Sequence, residues 1–201
     1  MPETNSVTKA STPALSIRAL VVLAIVALAV YAIDQVTKVL IVTNLTEGEQ
    51  SPLLGEFIQL HFVKNSGAAF SIGTGMTWIF SIVALAVVIF IAVFARRIRS
   101  AAWAVLFGLL LGGTIGNLTD RLFREPSFGQ GHVIDFIQVW AFPAIFNIAD
   151  SAIVVAMGLF IILTLRGIQL DGKRAVKQAP ADATPETSTD ESNSSTAGPA
   201  A

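Results

Sequence analysis

The sequence predicts an all-α membrane protein in which four transmembrane helices carry a small extracytoplasmic β-sheet lying on the outer membrane surface. Three observations lead there. The 201-residue chain is 53% hydrophobic and 13% charged, with a mean hydropathy of +0.68, too apolar for a soluble domain of this size. Its apolar residues collect into four runs of spanning length, since a helix rising about 1.5 Å per residue needs roughly 20 residues to cross a bilayer. Residues 57 to 63 instead alternate, with Ile58, Leu60 and Phe62 on one face and Gln59 and His61 on the other, the period of a half-buried strand.

The first span runs from Ala19 to about Leu40, interrupted near its end by Asp34, Gln35, Thr37 and Lys38. Its basic start and the small-residue pattern Val30-Tyr31-Ala32 loosely resemble a cleaved signal peptide. The apolar pattern runs on beyond that point, however, and three further spans follow, so it is read as a membrane helix. Span two covers Met76 to Ala95 and stops at Arg96-Arg97-Ile98-Arg99. Span three covers Ala101 to about Leu118, and the short basic turn between them makes an antiparallel pair. Span four covers about Ile145 to Leu165. Residues 17–170 are therefore expected to form one membrane domain, flanked by disordered segments at 1–16 and 171–201 that are rich in Ser, Thr, Pro and Ala.

Lys and Arg fall unevenly about these spans. Lys9 and Arg18 precede span one, Arg96, Arg97 and Arg99 join spans two and three, and Arg166, Lys173, Arg174 and Lys177 follow span four. The opposite side has only Lys64, Arg121 and Arg124, so the positive-inside rule puts both termini in the cytoplasm. Asp34, Asp120 and Asp150 then reach the outer surface, and Asp135 lies in the loop between the last two. Ionisable groups at the rim of membrane helices are costly unless used, so four carboxylates on one side point to function.

Composition excludes several classes of chemistry. A net charge of −1 offers no basic face for nucleic acid. Without cysteine there is no thiolate nucleophile, disulfide or iron-sulfur site. His61 and His132 lie in different loops and neither has a second His at i+4, so no metal site and no cofactor are expected.

Asp135 sits in His132-Val133-Ile134-Asp135-Phe136-Ile137, where apolar neighbours do not solvate a carboxylate and desolvation raises its pKa. Asp150 opens the next helix, and the connection through Pro143 is short enough to fold it back beside Asp135. Two carboxylates sharing one proton can activate water and protonate a leaving amine, as in aspartic proteases. The same pair could equally move protons or cations in a small transporter. Asp120 and Arg121 are adjacent, which favours a structural pair anchoring the loop, although the planar Arg121 fork also suits a substrate carbonyl or phosphate. Gly108, Gly112 and Gly116 form two overlapping Gly-x-x-x-Gly steps for close helix packing. Asp34 and Lys38 make an i,i+4 pair in the favourable order. Asn147, three residues before Asp150, shares its helical face, and Gly67 marks a place where backbone can turn or approach a ligand.

Five blocks in order, Asp34-Gln35-Val36-Thr37-Lys38, Asn65-Ser66-Gly67-Ala68-Ala69-Phe70-Ser71, Gly112 to Arg121, Val133-Ile134-Asp135-Phe136 and Phe146-Asn147-Ile148-Ala149-Asp150-Ser151, resemble those of the lipoprotein signal peptidases (signal peptidase II). The resemblance covers about residues 17 to 166. It implies a membrane aspartic endopeptidase that cuts bacterial prolipoproteins just before a diacylglyceryl-modified cysteine, with those prolipoproteins and membrane lipids as its partners. It also implies that Asp135 and Asp150 are catalytic, that Asn65, Asn117, Arg121 and Asn147 line the site, and that Asp34 and Lys38 support it. The two terminal extensions lie outside the resemblance.

Overall fold

The computed structural model describes residues 16–67 and 76–174. Most of both terminal segments, and Ala68 to Ser71 of the second block, lie outside the described residues. In chain order the elements are α1 (Ile17–Asn44), β1 (Gln50–Leu54), β2 (Ile58–Asn65), α2 (Thr77–Phe94), α3 (Ala101–Phe123), β3 (Val133–Val139), β4 (Ile145–Phe146) and α4 (Ile148–Leu165). Among the described residues four helices are long and apolar enough to cross a membrane, and this is a multi-pass membrane protein.

The helix α3 is the centre of the bundle. Some 61% of its span is buried, against 22%, 17% and 22% for α1, α2 and α4, whose outward Ile, Leu, Val and Phe residues form an apolar exterior. Its glycines explain how it can occupy that place. A Cβ added to Gly112 would fall 2.5 Å from the Ala27 carbonyl oxygen and 2.8 Å from Val30 Cβ of α1. On another face, a Cβ on Gly113 would fall 2.5 Å from the Ala149 carbonyl oxygen of α4. Small residues thus let two backbones approach α3 at once, which in a bilayer replaces the hydrophobic drive for helix association. Gly112→Leu should force α1 away and lower thermal stability in detergent by about 1–3 kcal/mol, the usual range for overpacking. An unchanged melting temperature would show that this contact contributes nothing.

Away from the sheet, the bundle is tied by backbone bonds. The N–H groups of Arg99 and Ser100 donate to the Leu170 carbonyl, and the Trp103 indole N–H donates to Ile168 O at 3.0 Å. A 3-10 turn at Ala95–Arg97 joins α2 to α3.

The four strands form one antiparallel sheet in the order β1-β2-β3-β4. Phe62, Ile134 and Phe136 from the sheet and Ile41 from α1 bury one another, seating the sheet on the end of α1. The alternation of residues 58 to 62 belongs to β2. The apolar residues around Asp135 belong to β3, whose first four residues are all buried and therefore carry no alternation. Ile137 pairs with Phe146, so the short strand β4 delivers the chain directly to the start of α4.

Three boundaries differ from those expected. The helix α1 continues to Asn44 rather than ending near Leu40, so Asp34, already expected within the span, stands roughly 15 Å before its end at about 1.5 Å per residue. Similarly, α3 continues to Phe123, placing Asp120 and Arg121 within its last two turns rather than after it. Asp34, Lys38 and Asp120 are paired inside the protein, so they need not end a helix. At α4, Ile145 and Phe146 are strand, because Asn147 is the N-cap.

Candidate active site

Asp135 and Asp150 arrive from different elements. Asp135 is carried by β3 opposite Val63 of β2, and two residues along β2 is Asn65, whose Nδ2 donates to Asp135 Oδ2 at 2.8 Å. Asp150 is the third residue of α4 in a capping box. The Asn147 side chain accepts from the Asp150 N–H at 2.9 Å, and the Asn147 N–H donates to Asp150 Oδ2 at 3.2 Å.

Two asparagines link the aspartates. Asn147 Nδ2 donates to Asp135 Oδ1 at 2.7 Å, and Asn117 Nδ2, from α3, donates to Asp150 Oδ1 at 2.7 Å. All four carboxyl oxygens of the pair therefore accept an N–H, which fixes both groups. Asp135 is 3% exposed, and its pKa is pushed up to about 7, first by burial and then by the negative charge of Asp150. The bonds from Asn65 and Asn147 oppose the rise without cancelling it.

Beneath this pair lies a fully buried ion cluster. Lys38 Nζ is 2.8 Å from Asp34 Oδ2, 2.8 Å from Asp120 Oδ2 and 3.0 Å from Asn117 Oδ1. Asp34 Oδ1 accepts the Ala149 N–H in the first turn of α4 at 2.9 Å, and Gln35 Nε2 donates to Asp34 Oδ2 at 3.1 Å. Asp120 also takes Arg124 Nε at 2.6 Å and the Ile134 N–H of β3 at 3.3 Å. The cluster thus joins α1, α3, β3 and α4. Gly116 makes room for it, since a Cβ there would meet Asp34 Oδ2 at 2.5 Å.

The expected pair of Asp120 with Arg121 is not formed. About 100° of helical turn separates adjacent residues, and Asp120 faces Lys38 while its i+4 neighbour Arg124 reaches back to it. Nor do Asp34 and Lys38 make a simple interfacial salt bridge, because both are 0% exposed and share their charges with Asp120. Arg121 turns the other way, with its guanidinium 5.7 Å from the Phe80 ring centroid. Its Nη1 and Nη2 make long 3.4 Å bonds to the carbonyls of Asn117 and Gly67, and its buried Nε has no partner among the described residues.

Asn65, Gly67, Asn117, Arg121, Asp135 and Asp150 all line one cleft of about 790 Å³. Its remaining wall is largely apolar, with Phe142, Ile145 and Phe146 from around β4 and Ile153, Val154 and Val155 from α4. The cleft is therefore polar where the two aspartates sit and greasy elsewhere, the form expected of a site for an amphipathic ligand.

Residues 26–166 match the family model described as "Signal peptidase (SPase) II". The chain belongs to the signal peptidase II family. It is 64% identical over 169 residues to a lipoprotein signal peptidase of Leifsonia xyli subsp. xyli, covering 84% of this chain and 76% of that protein. It is 48% identical over 145 residues to a lipoprotein signal peptidase of Rhodococcus jostii, covering 72% and 73%. Two solved structures titled as bacterial membrane enzymes align with TM-scores of 0.68 and 0.65 at 29% and 30% identity, covering 81% and 76% of this chain and 98% and 96% of theirs. Signal peptidase II is an aspartic peptidase family, and nothing in these likenesses supports a transporter.

For a signal peptidase II chain, two contributions were invisible in the sequence. Phe80 is one of many apolar residues in span two, and nothing distinguishes it from lipid-facing neighbours until the Arg121 guanidinium is seen over its ring. The backbone N–H and C=O of Ile134, which bind Asp120 and Asn147, have no side-chain signature at all. Gln35 did have a signal, since it stands inside the first block.

Proposed function

We propose that this protein cleaves the signal peptide of bacterial prolipoproteins just before a diacylglyceryl-modified cysteine, with Asp135 and Asp150 as its catalytic dyad. The observation that carries this reading is the pair itself: two aspartates, every oxygen held by an N–H donor, at the polar end of an otherwise apolar cleft. The pKa of Asp135, raised to about 7, supports giving it the single proton of the dyad near neutral pH, with Asp150 as the carboxylate base.

Asp150 takes a proton from water as the water oxygen attacks the scissile carbonyl carbon, and Asp135 passes its proton to the carbonyl oxygen. When the tetrahedral intermediate collapses, Asp150 returns its proton to the departing amine of the cysteine and a hydroxyl proton goes back to Asp135. The C–N bond breaks and one water is consumed. Arg121, whose planar guanidinium lines the cleft, suits the binding of a peptide carbonyl of the substrate. The apolar wall suits the acyl chains and the signal-peptide helix, which both come from the lipid phase.

The uneven distribution of Lys and Arg supports placement in the bacterial cytoplasmic membrane with both termini inside and the cleft at the outer face. There the dyad meets water, the substrate's modified cysteine and the interface together.

The test is a gel-shift cleavage assay in detergent with a diacylglyceryl-modified prolipoprotein, wild type beside Asp135→Asn and Asp150→Asn, and chelator throughout. Cleavage by wild type alone is expected, and substantial turnover by either purified variant overturns the dyad. The pH dependence supplies a second check. A proton is required on Asp135, so kcat should hold on the acid side of neutrality and fall as pH rises through about 7. A rate that climbs across that pH would reverse the roles of the two groups.

A further inference from the structure

We infer that Lys38 is a positioning residue for the reaction: it fixes the side-chain amide of Asn117 in the one orientation that presents N–H to Asp150. The inference rests on the dyad reading above and deepens it. Lys38 is wholly buried, 4 residues along α1 from Asp34, and touches neither aspartate of the dyad. Its positive charge is felt at Asp135 through space, and its side-chain hydrogen-bonded route to the dyad runs through Asn117.

An asparagine amide has an oxygen that only accepts and a nitrogen that only donates, and the two ends exchange by a half-turn about the last side-chain torsion. An ammonium only donates. With Lys38 Nζ at 3.0 Å, the facing atom of Asn117 must be Oδ1, which leaves Nδ2 for Asp150 Oδ1 at 2.7 Å. In the reversed orientation an NH2 would face the ammonium and an oxygen would face a carboxylate, so both contacts become repulsive.

Asn147 also donates to Asn117 Oδ1, at 3.1 Å, but it is a weaker lock. Its two hydrogens serve three acceptors, Asp135 Oδ1 at 2.7 Å, Asn117 Oδ1 and Ile134 O at 3.3 Å. Lys38 is itself unable to drift, because Asp34 and Asp120 hold it from two helices. A charge cluster that looks purely structural therefore sets the polarity of a hydrogen-bond chain ending on the proposed catalytic base.

The experiment must separate this role from folding. Lys38→Met alone strands the buried Asp34 carboxylate and leaves Asp120 with Arg124 only, so the comparison is made between Asp34→Asn and Asp34→Asn/Lys38→Met. The second removes one charge of each sign, while the amide oxygen introduced at position 34 still accepts the Ala149 N–H. That step is expected to lower kcat about 100-fold with KM changed less than about threefold, a magnitude typical of losing one preorganised donor. In an Asn117→Ala background, the same step should cost less than about threefold, because the two residues act as one unit. Multiplicative losses in the two backgrounds, an unchanged kcat, or a double variant that does not fold would each overturn the inference. If wild type itself fails to cleave the prolipoprotein, the dyad reading falls instead.

Discussion

Asp135→Asn and Asp150→Asn are each expected to lower kcat by about 10³–10⁴-fold or more while the protein remains folded and inserted, since each removes a group that must both give and take a proton. Neither change should disturb the surrounding bonds severely. The amide that replaces the Asp150 carboxylate still offers an oxygen to the Asn147 N–H or the Asn117 amide, and the capping side chain at the start of α4 is untouched. For Asp135 the expectation goes further. Between pH 3.8 and about 7 the folded protein holds a proton on Asp135 that the unfolded chain has lost. Stability therefore declines as pH rises through that window, and above it the buried charge weakens the fold. Asp135→Asn abolishes the decline, so the inactive variant should melt higher than wild type at pH 8. Thermal unfolding in detergent beside the cleavage assay checks both halves. An Asp135→Asn variant less stable than wild type at pH 8 would mean that the Asp135 environment favours the ionised form.

The second large effect is on stability. Lys38→Met removes the only cation that contacts Asp34 among the described residues and one of two on Asp120, leaving carboxylates that are 0% exposed. Breaking a buried ion network in this way costs about 3–5 kcal/mol, because a charge is left without solvent or partner. A melting temperature lower by about 10 °C or more is expected, and Asp34→Asn in the same chain should recover a good part of it. A Lys38→Met protein that melts with wild type would show that the cluster carries no net stabilisation. This effect and the proposed control of Asn117 are separable, since the first is read in stability and the second in whether the kcat loss disappears in the Asn117→Ala background.

Particular residues show how much was legible beforehand. The four spans, the strand at residues 58 to 62 and the glycine face of α3 could be read because each rests on a local period or on length, and a bilayer enforces both. The ends of the spans were less legible. Asp120 looks like a terminator in a linear sequence, since a lone charge in a membrane helix is costly, yet it lies within α3 because Lys38 of α1 and Arg124 neutralise it. Arg121 looked like the partner of Asp120 by adjacency, and helical geometry sends the two in different directions.

By itself, then, the sequence determined the membrane class, the four spans, the family and the set of polar residues worth weighing, all of which follow from composition, periodicity and ordered motifs. Only the tertiary structure decided which polar group meets which. That Asn65 and Asn147 hold Asp135, that Asn117 holds Asp150, and that Lys38 lies behind Asn117 depends on residues from α1, β2, β3, α3 and α4 converging. Hydrogen bonds and ion pairs act over about 3 Å, and no spacing along a chain encodes a contact between residues 79 positions apart such as Lys38 and Asn117.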